Sequence, residues 1–308
     1  MIFLIVHVYM TSTGETVTSN VTAMIIIIAL DLLKYPDMFF SIETSREIAF
    51  WMWLVGSIGI YVAAFVVLPK IYRSDAIELS HANFGWFIPP VAKLLIPVAG
   101  FELAMLYSDR FELTFGLSIT SFGIGFFLFL FVGSLVYHHY VLESLPVSRF
   151  AATSFIAIAP MAIIAVALFK MMHLFEAGTP LDIDAHAIEA VSVLGILAAW
   201  GFAAWSFVMA VIIVIAYLRH LDLPYALSWW AYTFPLGSLG VATGGAWKVK
   251  RVREYPLVLH RCHRRSLCSM DHRCSENGTS DVVGKGLRVA APAPSGDSIR
   301  PVGSDHGE

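Results

Sequence analysis

The chain has 308 residues, of which 57% are hydrophobic and 14% charged, with a formal net charge of −3 and a mean hydropathy of +0.72. That composition excludes an ordinary soluble domain and points to a chain that crosses a membrane several times. Residues 1–247 hold 9 of the 20 lysines and arginines and residues 248–308 hold the other 11, so the net charge averages an apolar body with a basic tail and gives no reason to expect a nucleic-acid partner.

Met1 to Met10 is apolar, but no Lys or Arg precedes Lys34, so the positively charged start of a signal peptide is missing. Residues 1–11 read instead as the remnant of a truncated span. A span needs roughly 20 apolar residues. Seven runs meet this: 17–35, 48–69, 84–106, 115–137, 150–171, 188–218 and 226–246. They are too long and too uniformly apolar for the alternating strands of a membrane β-barrel. The polar links between them are short, which predicts antiparallel neighbours in a compact all-α bundle occupying residues 12–247.

The prolines alternate along this series. Span 84–106 contains Pro89, Pro90 and Pro97, span 150–171 contains Pro160, and span 226–246 contains Pro235. Spans 115–137 and 188–218 contain none, span 48–69 has only Pro69 at its end, and span 17–35 breaks the alternation, its nearest proline being Pro36 just past its end. Proline removes a backbone donor and bends a helix. The pattern therefore predicts a repeated helical hairpin in which one helix is kinked and its partner straight. Proline is also common in membrane helices generally, and that plainer account of the spacing stays open.

Lys93 is the basic residue in the middle of a span. An ammonium at that depth is costly and faces a bundle interior, a water-filled path or a carboxylate from another helix. Pro97 and Gly100 share its face, so that face either meets a neighbouring helix or leaves a lumen in which a lysine would attract anions. Glu102, nine residues on, points the opposite way and reads as interfacial. The histidines of the body fall mostly near span ends. Near mid-depth of the last span, Phe234 stands beside Pro235, and an aromatic at a bend can enter a central space or simply join a lipid-facing belt with Trp229, Trp230 and Tyr232.

The tail offers Cys262, Cys268 and Cys274, whose spacing of six is not that of a zinc site, and no metal or cofactor is expected. Residues 290–308 have the composition of a disordered segment. The span interiors lack catalytic pairs, so no enzyme is expected, although a seven-helix membrane receptor or enzyme stays open as an alternative.

The string Ser228-Trp229-Trp230-Ala231-Tyr232-Thr233-Phe234-Pro235-Leu236 resembles the ninth helix of the tellurite-resistance/dicarboxylate transporter family. That family also contains malate permeases, sulfite exporters and plant slow-type anion channels. His81 to Ala92 is similar to the start of the fifth helix, and Pro160 in Ala-Ile-Ala-Pro-Met-Ala suits the seventh; together the matches cover residues 12–246. The resemblance implies ten helices in five hairpins around a pseudo-fivefold axis, of which this chain holds seven full spans. It further implies an inner ring of proline-kinked helices, with Lys93, Pro90, Pro97, Pro160 and Pro235 as pore-lining or kink residues and Phe234 as the pore gate. The implied activity is passage of anions (C4-dicarboxylate such as malate, sulfite, tellurite or small inorganic anions) across the plasma membrane, by a multi-pass protein that is a homotrimer. Two departures stand against a whole family member. Most of the first two helices is missing, and the basic residues 248–308 take the place of the tenth helix. A truncated or frame-shifted reading frame accounts for both, which makes a non-functional fragment the alternative function.

Overall fold

The computed structural model describes residues 16–38, 40–73, 82–142, 148–181, 183–220 and 232–249, all within one compact unit, Met1–Glu254. The remnant at residues 1–11 and the tail beyond Val249, with its cysteines, lie outside the described residues. Among the described residues there is helix and no strand. Helix α1 is Thr16–Lys34 and α2 is Ile42–Tyr72. A 3-10 stretch, Phe84–Phe87, leads into α3, Ile88–Leu106, and α4 follows as Phe111–Leu142. A longer 3-10 stretch, Ser148–Ala157, leads into α5, Ile158–Ala177, and α6 is Ala185–His220. Residues 233–249 form α7.

Spans 48–69, 115–137 and 188–218 fall within single helices, and span 17–35 overruns α1 by one residue. Spans 84–106 and 150–171 each run from a 3-10 stretch into the helix after it, and residues 226–231 of the last span lie outside the described residues. Among the described residues, five stretches are long and apolar enough to cross a membrane: Ile42–Val66, Phe84–Leu106, Phe111–Leu142, Ala151–Ala177 and Ala185–Arg219. Their burial separates them into two kinds. The most apolar windows of Phe84–Leu106 and Ala151–Ala177 are 89% and 78% buried, against 39%, 28% and 22% for Ile42–Val66, Phe111–Leu142 and Ala185–Arg219. The two proline-bearing spans are therefore inside and their proline-poor neighbours outside.

The helices pair as hairpins, α1 with α2, α3 with α4 and α5 with α6, and α3 packs in addition against both α1 and α5. So α1, α3 and α5 form an inner row, with α2, α4 and α6 behind it. The outer helices expose apolar stripes, such as Trp51, Val55, Ile58, Val62 and Phe65 on α2. These are lipid-facing surfaces by their composition.

In a bilayer, apolar contact with lipid competes with apolar contact between helices, so association relies on close backbone approach and internal hydrogen bonds. Both are present. A Cβ at Gly125 of α4 would stand 2.8 Å from Leu94 Cγ of α3, and one at Gly195 of α6 would stand 2.7 Å from Leu168 Cδ1 of α5. Gly56 and Gly59 of α2 meet Ile26 and Thr22 of α1 in the same way. Trp53 Nε1 donates to the Ile96 carbonyl at 3.0 Å, Tyr61 and Ser121 share a hydroxyl–hydroxyl bond of 2.8 Å, and Trp200 Nε1 donates to Thr243 Oγ1 at 3.0 Å. Each bond gives a polar group a partner where water cannot.

Candidate pore-lining site

Three of the span prolines sit at one recurring place. Pro90 is the third residue of α3, Pro160 the third of α5 and Pro235 the third of α7, and each α segment follows directly on 3-10 backbone. A helix begins with N–H groups that have no α-helical acceptor, so a first-turn proline removes a donor the helix does not use. The irregularity at these three sites is thus a junction between 3-10 and α geometry. Pro97 differs in lying inside α3, where its missing N–H leaves the Lys93 carbonyl without an α-helical donor. Trp53 from α2 bonds the adjacent Ile96 carbonyl and ties the outer helix to the inner one beside that interruption.

Phe234 is the second residue of α7, half-buried and packed against the main apolar core. Its neighbour Tyr232 meets Phe155 edge-on at 4.4 Å, in front of α5. Trp229 and Trp230 lie outside the described residues. Thr243, which holds Trp200 of the outer helix α6, follows Phe234 by nine residues. Nine residues are about two and a half helical turns, so Phe234 projects from the side of α7 opposite its contact with the outer helix.

Lys93 is buried, with 4% of its surface exposed, and among the described residues no hydrogen bond or ion pair holds it. Its face is fixed by Gly100 seven residues on, where an added Cβ would strike Ser118 Oγ of α4 and stand 2.9 Å from Trp53 Cζ2 of α2. At Gly100 that face makes a close approach to neighbouring helices. Lys93 shares the stripe by helical spacing.

Glu102 lies on the other side of α3 and is not a lone interfacial carboxylate. Its Oε2 accepts from Lys170 Nζ of α5 at 2.6 Å, with the two side chains 23% and 28% exposed. Sequence reading placed Glu102 opposite Lys93 but did not find its partner. The available signal was that both charges stand near the ends of alternate, proline-bearing spans.

A second polar group sits where α3 turns into α4. Arg110 pairs with Glu47 of α2 at 3.1 Å and lies over the rings of Phe50 and Tyr107, at 4.4 and 4.9 Å from their centroids. Burial, then a hydrogen bond with Glu47, pushes the Tyr107 phenol above its ordinary range. This group clamps α2 to the α3–α4 turn. His139 of α4, expected at an interface, is buried beside Tyr140.

Buried proline-bearing helices behind a lipid-facing outer row define a multi-pass membrane protein of the helical-hairpin transporter or channel type. The sequence pattern of the voltage-dependent anion channel (SLAC1) family matches residues 8–253, and the chain belongs to that family. It is 32% identical over 224 residues to the uncharacterized transporter MJ0762 of Methanocaldococcus jannaschii, covering 72% of this chain and 63% of that protein. It is 34% identical over 205 residues to the uncharacterized transporter MJ0576 of the same organism, covering 65% of this chain and 56% of that protein. The matched part of the chain thus spans about three fifths of the length of these relatives.

Proposed function

We propose that this protein passes small anions across the plasma membrane along the inward faces of its inner helices, without ATP or a bound cofactor, and that the ring of Phe234 gates the path. The substrate class is that of inorganic anions, sulfite, tellurite or C4-dicarboxylates, and the unit in the membrane is a homotrimer whose transmembrane domain is residues 12–247. The observation that carries this reading is the opposition of Phe234 and Thr243. The residue that anchors α7 to the outer helix and the residue at its 3-10/α junction point in contrary directions, which supports an inward Phe234. An apolar ring across a narrow path opposes a hydrated ion by exclusion of water. The prolines Pro90, Pro160 and Pro235 support the reading by setting the same backbone junction on α3, α5 and α7. Lys93 adds positive potential from behind the inward face.

The test is flux into vesicles reconstituted with the purified protein, using chloride, sulfite, tellurite and malate in turn. Phe234→Ala is expected to raise flux of the passed anion; lowering a barrier by about 1.4 kcal/mol speeds passage about tenfold. Flux that does not change in the alanine variant refutes the gate.

A further inference from the structure

The Glu102–Lys170 pair joins two inner helices, and its orientation can be worked out from each helix in turn. On α3, Gly100 meets Ser118 and Trp53 of the outer row, and Glu102 follows two residues later. On α5, Leu168 meets Gly195 of the outer helix α6, and Lys170 again follows two residues later. Two residues rotate about 200° around an α-helix. Both charged side chains therefore leave their helices on the side away from the outer row. The 2.6 Å contact between them lies on the inward face, near the ends at which α3 and α5 finish. With 23% and 28% of their surface exposed, the two side chains remain accessible to a small ion while being partly removed from water.

We propose that this pair is a charge filter: Lys170 is the cation that receives a passing anion, and Glu102 is the resident counter-ion that the anion displaces. The proposal rests on the anion-transport reading above and narrows its substrate class. A singly charged anion can replace the Glu102 carboxylate at the ammonium and leave the local charge balanced. A dianion brings its second charge next to the displaced carboxylate, and that repulsion disfavours it. The filter thus selects small monoanions over C4-dicarboxylates. Arg110 and Lys93 do not serve this purpose, because the first is engaged by Glu47 and two aromatic rings and the second is buried, with 4% of its surface exposed.

The experiment measures chloride and malate flux, and the reversal potential under a potassium chloride gradient, for the full chain in vesicles. Wild-type protein should pass chloride in preference to malate. Glu102→Gln should raise the malate-to-chloride flux ratio about tenfold or more, because it removes a unit charge within about 12 Å of the anion's second charge at an effective dielectric near 20. Lys170→Gln should move the reversal potential toward that of an unselective pore, and Lys170→Arg should leave it near wild type. A clip that only holds α3 to α5 would change the unfolding temperature of these variants and leave both ratio and potential alone. That result, with chloride passing in the wild type, overturns the filter and spares the transport reading. Wild-type vesicles that pass no anion overturn both. If Lys170→Gln does not fold, Glu102→Gln and Lys170→Arg decide the question on the same two readouts.

Discussion

Replacing Gly100 by alanine tests the rotational setting of α3, on which the placement of both Lys93 and Glu102 depends. An alanine in a helix interior is favoured over glycine by about 1 kcal/mol. Against this stands the space available. The new methyl would collide with Ser118 Oγ and stand 2.9 Å from Trp53 Cζ2 and 3.2 Å from Ser118 Cβ. The hydroxyl can swing aside at the loss of its 2.5 Å bond to the Thr114 carbonyl. The indole cannot move so easily, because it is fully buried and held by its bond to the Ile96 carbonyl. Overpacking of this kind costs about 1–3 kcal/mol. With about 1 kcal/mol for the lost hydroxyl bond added and about 1 kcal/mol of helix preference subtracted, the expected net destabilisation is about 1–3 kcal/mol, a factor of about 5–150 in the folded-to-unfolded ratio.

Gly123 of α4 provides the control, since a Cβ there meets nothing within 4 Å. Gly123→Ala should be neutral or stabilising by up to about 1 kcal/mol. Denaturant-induced unfolding of the purified protein in detergent reads both variants. Ser118→Ala in the Gly100→Ala background should recover part of the loss, because it removes the nearest clashing atom and leaves the indole in place. If Gly100→Ala is as stable as Gly123→Ala, α3 does not press this face on the outer helices, and the inward assignment of Glu102 fails with it.

Two further outcomes follow from the same contacts. Lys93→Met removes a buried ammonium without a partner among the described residues, so stability should rise by about 1–3 kcal/mol while anion-over-cation selectivity, read from the reversal potential, falls; unchanged selectivity makes Lys93 purely structural. Arg110→Ala should lower stability by about 1–2 kcal/mol, the sum of a half-exposed ion pair and two cation–π contacts, with Arg110→Lys intermediate; thermal unfolding in detergent that leaves Arg110→Ala at the wild-type midpoint would remove the clamp from the account.

The inner places of α3 and α5 were legible in the sequence because proline acts on its own helix, whereas α1 contains no proline and gave no such signal. Pro90, Pro160 and Pro235 each mark a 3-10/α junction through the loss of one N–H, and no knowledge of neighbours is needed to see them. Helix boundaries were legible for a similar reason, since length and hydropathy are local. What a face packs against is not local. Lys93, Pro97 and Gly100 could be placed on one stripe by spacing alone, yet the same stripe suits a lumen or a tight contact. The contact at Gly100 is made by Ser118 and Trp53, contributed by two other helices. The Glu102–Lys170 pair was out of reach for the same reason: the two residues are 68 apart in sequence and meet because α3 and α5 are neighbours in the inner row.

The position of the pair within its helices bears on how firmly it is closed. Helices α3, α5 and α7 are each separated by one intervening span and so run in the same direction, with their 3-10/α junctions on one side and their C-terminal ends on the other. Aligned helices present partial positive charge at the N-terminal side and partial negative charge at the C-terminal side. An anion is therefore favoured at the junctions and opposed where α3 and α5 end. Lys170 stands about two turns before the end of α5, outside the last turn in which that field acts. Glu102 stands in the last turns of α3, where a carboxylate works against the field of its own helix. Lys170 thus holds Glu102 at a site its own helix disfavours, which makes the contact easier to part than an ion pair of the same length placed along both dipoles. A counter-ion held in this way can be exchanged for a mobile anion, and this is the property the filter requires.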